Sequence, residues 1–129
     1  MAARLWAAAG LALAVLAAVV VHDALAPMRF QHHRSPATLA FAGLVALALL
    51  ALAPRVRSAG IVVGAGVAAG GALATFVSGL AWGSVPDPLV HGGIAFNLAD
   101  VAIAGGDAML LVAALLHAWT NRARLSEPV

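Results

Sequence analysis

The chain has 129 residues, of which 64% are hydrophobic and 9% are charged, and its formal net charge is +2 at pH 7. A soluble domain has about 45–50% apolar and about 25% charged residues, so this composition excludes a soluble enzyme, an independent nucleic-acid-binding domain and a disordered tail, and favours one integral membrane domain. Cysteine is absent, which excludes disulfides, cysteine metal sites and thiolate catalysis.

The first two apolar segments predict two membrane-spanning helices. Leu5–Val21 has 17 residues, more than the apolar core of about 7–15 residues in a cleaved signal peptide, so we expect a retained helix over about 5–26. The second helix is predicted over 36–53. Ser35 is a suitable N-cap, Pro36 suits the first helical position, and Pro54 is a stop signal.

The third and fourth apolar segments predict helices over 59–82 and about 94–119. At about 1.5 Å of rise per residue, each segment is long enough to cross a bilayer. The sequence therefore predicts an all-α fold, a four-helix transmembrane bundle, with residues 1–129 forming a single transmembrane domain.

The arginines predict the orientation of the bundle. If the four helices alternate in direction, five arginines fall on one side of the membrane and two on the other. The positive-inside rule then places the N- and C-termini in the cytoplasm. Together with the lysine-free, alanine-rich composition, this predicts a multi-pass protein of a bacterial plasma membrane, the inner membrane. The five are Arg4, Arg55, Arg57, Arg122 and Arg124; the two are Arg29 and Arg34.

The third segment is rich in glycine, which indicates close helix packing. Small residues spaced four apart let helix backbones approach one another in a membrane. We therefore expect the third helix to pack closely against the fourth. The predicted packing residues are Gly60, Gly64, Gly66, Gly70 and Gly71.

Ionisable residues inside a membrane are costly and point to function by default. Asp100 and Asp107 are seven residues apart in the fourth segment, so they share one helix face. Asn97 lies one turn before Asp100. These groups either hydrogen-bond neighbouring helices or, in an alternative interpretation, form part of a proton relay.

Four histidines are predicted at the outer side of the membrane. Imidazoles can bind metal, and a metal or haem site is one hypothesis for them. No established metal-binding spacing is present, so we expect no metal and no cofactor. The four are His22, His32, His33 and His91; His117 is predicted at the inner interface.

The segment Phe96–Asp100 reads Phe-Asn-Leu-Ala-Asp and resembles the Phe-Asn-x-Ala-Asp motif of the lipoprotein signal peptidase family, signal peptidase II. Gly70–Leu73 is similar to that family's Gly-Gly-Ala-Leu stretch, and Gly83–Asp87 to its Gly-x-Val-x-Asp segment. Asp23 falls where the family has an aspartate at the end of its first helix. The resemblance implies four transmembrane helices and an aspartyl peptidase.

Several positions depart from the family pattern. The family's Asn, first catalytic Asp and Arg on the third helix correspond here to Thr75, Ser78 and Gly79. An aspartyl peptidase needs two carboxylates that share one proton, and serine cannot ionise. With a degenerate pair at Ser78 and Asp100, we expect that the chain is not an enzyme and acts as a small scaffold or accessory subunit of a larger membrane complex.

On this interpretation the remaining polar residues form a structural cluster between helices. The expected partners are other integral membrane subunits and membrane lipids, with no nucleic acid. Two alternatives remain: an active aspartyl lipoprotein signal peptidase with a rearranged site, for which Asp23 is the candidate second carboxylate, and a lipid- or proton-handling membrane subunit. The predicted cluster comprises Asp23, Thr75, Ser78, Asn97 and Asp100.

Overall fold

The computed structural model describes residues 2–25, 31–33, 35–82, 84–86, 89–91, 94–96 and 98–122. Within these ranges, four helices are long and apolar enough to cross a membrane, so the predicted all-α, four-helix fold is confirmed. The helices are α1 (Ala2–Leu25), α2 (Pro36–Leu52), α3 (Ala59–Trp82) and α4 (Leu98–Thr120). A short 3₁₀ helix, Ala53–Arg55, follows α2.

Four three-residue strands lie in the connections at one end of the bundle. They form two separate antiparallel pairs, β1 with β2 and β3 with β4. We call this the strand end, and the opposite end, which holds the 3₁₀ helix and the start of α3, the turn end. The strands are β1 (Gln31–His33), β2 (Ser84–Pro86), β3 (Leu89–His91) and β4 (Ile94–Phe96).

The predicted start of the fourth helix at about residue 94 is wrong. Ile94–Phe96 forms β4 and pairs with β3, His91 opposite Ile94, and α4 begins only at Leu98. A short apolar run does not reveal by periodicity whether it is strand or helix.

The start of α2 follows from its capping residues. The Ser35 hydroxyl oxygen accepts a hydrogen bond of 3.2 Å from the backbone N–H of Thr38, which satisfies one of the donors that a helix leaves free at its first turn. Pro36 occupies the first helical position, where its missing N–H costs nothing. Both features were predicted from the sequence.

Helix α3 is the centre of the bundle. It contacts α1, α2 and α4, and it is the most buried of the four helices. The side chains buried around it are mostly single methyl groups, so neighbouring backbones lie close together. The buried alanines are Ala8, Ala12, Ala46, Ala53, Ala65, Ala68, Ala69, Ala72, Ala74 and Ala99.

The glycines of α3 lie at three interfaces: with α4, with α1 and, at Gly79, with Leu39 of α2. A Cβ placed at Gly64 would be 2.7 Å from the backbone nitrogen of Leu110 on α4, and one at Gly71 would be 2.9 Å from the carbonyl oxygen of Ala99. Gly70 instead faces α1, where a Cβ would lie 2.7 Å from the carbonyl oxygen of Ala12. The glycines therefore allow close approach on both flanks of α3, whereas the sequence predicted only the α4 side. Gly60 also faces α4, and Gly66 also faces α1.

Two adjacent glycines in α4 give a matched test of this packing. We expect Gly106→Ala to destabilise the protein by about 1–3 kcal/mol, because the new Cβ would meet the backbone nitrogen of Ala68 and lie 2.8 Å from the carbonyl oxygen of Gly64. Gly105 has nothing within 4 Å, so Gly105→Ala should be neutral or stabilising by about 0.5–1 kcal/mol. Thermal unfolding in detergent measures both, and equal melting temperatures for the two variants would contradict the packing account.

Candidate functional site

Three polar side chains are buried near the strand end, in an otherwise apolar bundle. Asp23 on α1 and Ser78 on α3 are each 1% exposed, and Thr75 on α3 is buried as well. Burial of polar groups is costly unless they are paired. These residues therefore mark the candidate site.

An apolar cluster positions these polar side chains. Val19 on α1, Ala74 on α3 and Ala99 on α4 pack together as buried residues. Asp23 and Ser78 lie four residues, about one helical turn, further toward the strand end than Val19 and Ala74. Thr75 and Asp100 each directly follow a residue of this cluster, so the three helices bring their polar residues to within about one helical turn of it. We call Asp23, Thr75, Ser78 and Asp100 the polar layer.

The polar layer contains two carboxylates. Asp100 follows Ala99 at the start of α4 and is half-buried, and Ala99 packs against Val19 on α1, which lies one helical turn before Asp23. Asp23 Oδ1 lies 3.6 Å from Nδ1 of His22. The site therefore contains two carboxylates beside one apolar cluster and an imidazole next to one of them.

Several atoms of the polar layer have no hydrogen-bond partner among the described residues. They are both carboxylate oxygens of Asp23 and the hydroxyl oxygen of Ser78. Most buried polar side-chain atoms in proteins are hydrogen-bonded, and exceptions are associated with catalytic roles and with bound water or ions. The arrangement can therefore accept protons or hydrogen bonds from a molecule that enters the layer.

Two polar residues singled out in the sequence, Asp107 and Asn97, are not part of the polar layer as described. Asp107 lies seven residues further along α4, near the middle of the membrane span, and its side chain is exposed. Asn97 lies outside the described residues. The structure thus places Asp23, Thr75, Ser78 and Asp100 within about one helical turn of the apolar cluster and leaves Asp107 on the outer surface of α4.

Of the histidines whose side chains are described, His22 lies at the site and His117 lies near the opposite end of the bundle. The sequence grouped His22 with the other histidines of the outer side, whereas in the structure its imidazole lies beside Asp23, with Nδ1 3.6 Å from Oδ1; adjacency in the sequence was the available signal. His117 is half-buried near the turn end. Within the described ranges, no three His, Asp or Glu side chains come together as a metal site requires. The side chains of His32, His33 and His91 lie outside the described part.

Comparison with known proteins identifies relatives by family and by fold. A family model described as signal peptidase (SPase) II matches residues 4–116. No curated protein gave a significant match. The chain is similar to a solved structure described as "Bacterial membrane enzyme structure by the in meso method at 2.3 Å resolution", with a TM-score of 0.64, 16% identity, and coverage of 93% of this chain and 94% of that chain. At this identity, the likeness shows a shared fold.

The expectation that the chain is not an enzyme is contradicted by the family match, because the matched family is one of peptidases. That expectation rested on a single position, Ser78. The polar layer contains two carboxylates besides that position, Asp23 and Asp100.

The burial of Asp23 predicts a stability effect that can be measured without any substrate. We expect Asp23→Asn to stabilise the protein by about 1 kcal/mol, because it removes a buried carboxylate without hydrogen-bond partners and its repulsion with Asp100. His22→Gln is the control and should change stability by less than about 0.5 kcal/mol, since this side chain is partly exposed. Thermal unfolding in detergent at neutral pH measures both; a lower melting temperature for Asp23→Asn would contradict the prediction.

Proposed function

Because this chain belongs to the signal peptidase II family, we propose that it is an aspartyl peptidase that cleaves the signal peptide of lipid-modified proteins in the membrane. The observation that carries the proposal is the pair of carboxylates, Asp23 and Asp100, beside the buried cluster where three helices meet. Asp23 supplies the carboxylate that the family motif places at the position of Ser78. This is the rearranged site considered as an alternative from the sequence.

The chemistry of such a pair is general acid–base catalysis. Two carboxylates close together share one proton because both cannot ionise readily. The ionised carboxylate removes a proton from water, whose oxygen attacks the carbonyl carbon of the scissile peptide bond. The protonated carboxyl donates to the carbonyl oxygen. The C–N bond then breaks, and the amine leaves with a proton returned by the pair.

The position of the polar layer suits a substrate that is itself a membrane segment. The layer lies near the strand end, and large apolar side chains on all four helices face outward toward lipid, among them Leu13, Leu44, Leu80 and Leu111. An apolar signal peptide can therefore reach the layer laterally, without leaving the bilayer. Membrane lipids are the surrounding partners in this proposal.

The orientation in the membrane is part of the proposal. The described arginines all lie near the turn end, whereas the polar layer lies near the strand end. The positive-inside rule supports a cytoplasmic turn end and termini, and a site near the outer face of a bacterial plasma membrane. The arginines are Arg4, Arg55, Arg57 and Arg122.

Association with other integral membrane subunits stays a prediction, and Asp107 is the described feature that favours it. Its side chain is exposed near the middle of α4, where a charged aspartate costs about 2.5–3.5 kcal/mol on insertion scales. A neighbouring helix with a hydrogen-bonding side chain would reduce that cost. A proton-handling role that uses Asp100 and Asp107 together has the weaker support, since only Asp100 belongs to the polar layer.

Two single substitutions test the catalytic pair. We expect Asp100→Asn and Asp23→Asn each to reduce cleavage of a diacylglyceryl-modified prolipoprotein by about 10²–10⁴-fold, the usual contribution of a general acid or base. Asp107→Asn, on the same helix as Asp100 but outside the layer, should retain activity. Cleavage in detergent micelles is followed by gel mobility. Full activity of Asp23→Asn would show that the second carboxylate lies elsewhere.

A double variant tests the assignment of Asp23 from the opposite direction. Ser78→Asp restores a carboxylate at the family position, and we expect it to recover part of the activity lost in Asp23→Asn, because one pair again shares a proton. Ser78→Ala in the same background removes the hydroxyl and should recover nothing. Equal activity of these two double variants would contradict the proposal that Asp23 takes the role of the aspartate that the family has at the position of Ser78.

A further inference from the structure

A groove between α1 and α3 at the turn end combines positive charge with an apolar wall. Its volume is about 420 Å³. It lies at the opposite end of the bundle from the polar layer, so nothing about it depends on peptidase activity. The lining residues are Ala3, Arg4, Ala7, Arg57, Ser58, Ala59, Val62 and Val63.

The mouth of the groove has a concentration of positive charge. Arg4 and Arg57 both line it, and α1 and α3 both begin there. A helix N-terminus carries a partial positive charge, and neither helix has an acidic residue in its first turn. The carboxylates of the described residues all lie elsewhere, at the strand end or in the middle of α4. An anion is therefore the complementary ligand.

One of the two guanidinium groups is held in place by the fold. Arg4 Nε donates a hydrogen bond of 2.7 Å to the carbonyl oxygen of Pro54, which directs the side chain and leaves its terminal nitrogens as donors. Ser58 Oγ accepts from the backbone N–H of Ile61 at 3.3 Å, so its own hydroxyl hydrogen can be donated. Arginine forks and hydroxyls are the usual partners of phosphate oxygens.

The wall below the arginines is apolar. Ala7, Val62 and Val63 lie one to two helical turns further into the membrane span than the two arginines. A free phosphate would use only the mouth, whereas a phospholipid would place its phosphate at the arginines and an acyl chain along the wall. We propose that this groove binds one anionic phospholipid.

A second groove, at the turn end beside α2 and α4, is a useful contrast. It is lined only by apolar residues, among them Val45, Leu49 and Leu110. It has no charged group that would select a headgroup. Of these two grooves, only the first is therefore expected to select an anionic lipid.

Native mass spectrometry of the full-length protein tests the proposal. The protein is titrated in detergent with dioleoyl phosphatidylglycerol or with dioleoyl phosphatidylcholine, which have the same acyl chains. We expect one tightly bound phosphatidylglycerol and weaker binding of phosphatidylcholine. Arg57→Gln should weaken phosphatidylglycerol binding about fivefold, the contribution of one arginine near a charged headgroup. Arg55→Gln, two residues away and outside the groove, should have no such effect.

Two further measurements show whether the groove binds the whole phospholipid or only its phosphate group. Ala7→Phe fills the apolar wall and should weaken phosphatidylglycerol binding while leaving both arginines in place. Added inorganic phosphate at millimolar concentration should not displace the lipid. Displacement by phosphate, equal affinity for the two lipids, or equal effects of Arg57→Gln and Arg55→Gln would each overturn the proposal. Thermal unfolding of every variant shows that the fold is retained.

Discussion

The close approach of α1 and α4 to the two flanks of α3 is the contact on which the rest of the structure depends. Inside a bilayer, apolar side chains gain little by leaving lipid for one another, so helix association depends on van der Waals packing between closely spaced backbones. The glycines and alanines of α3 permit that spacing. Gly70 toward α1 and Gly71 toward α4 are adjacent in sequence, so one helical turn of α3 fixes both neighbours.

This spacing also determines where the polar residues lie. Val19, Ala74 and Ala99 meet in the apolar cluster beside the site, and the polar residues of the three helices lie within about one helical turn of it. The placement of Asp23 and Asp100 beside this cluster is therefore a consequence of backbone packing. A site built on rigid helices in this way holds its groups in a defined geometry.

Much of the fold could be predicted from the sequence because its signals are local. Ser35 and Pro36 mark the start of α2, and the apolar lengths mark the membrane spans. The strands could not be predicted, since three residues are too short for a periodic pattern. Asp23 and Asp100 are 77 positions apart in the chain, and the sequence linked them through the family resemblance, because no local pattern shows what tertiary packing brings together. The expectation that the chain is not an enzyme rested on Ser78 alone, and the family match contradicts it.

The alanine-based core constrains how this protein can vary. A core of leucine or phenylalanine can lose volume by mutation and survive with a cavity, but a methyl group that contacts a neighbouring backbone leaves almost nothing to remove. Nearly every substitution at such a position is an enlargement. The outward side chains, by contrast, contact fluid acyl chains that do not distinguish leucine from valine. Sequence change should therefore accumulate on the lipid-facing surface, so that relatives can share this arrangement of helices while few of their residues coincide.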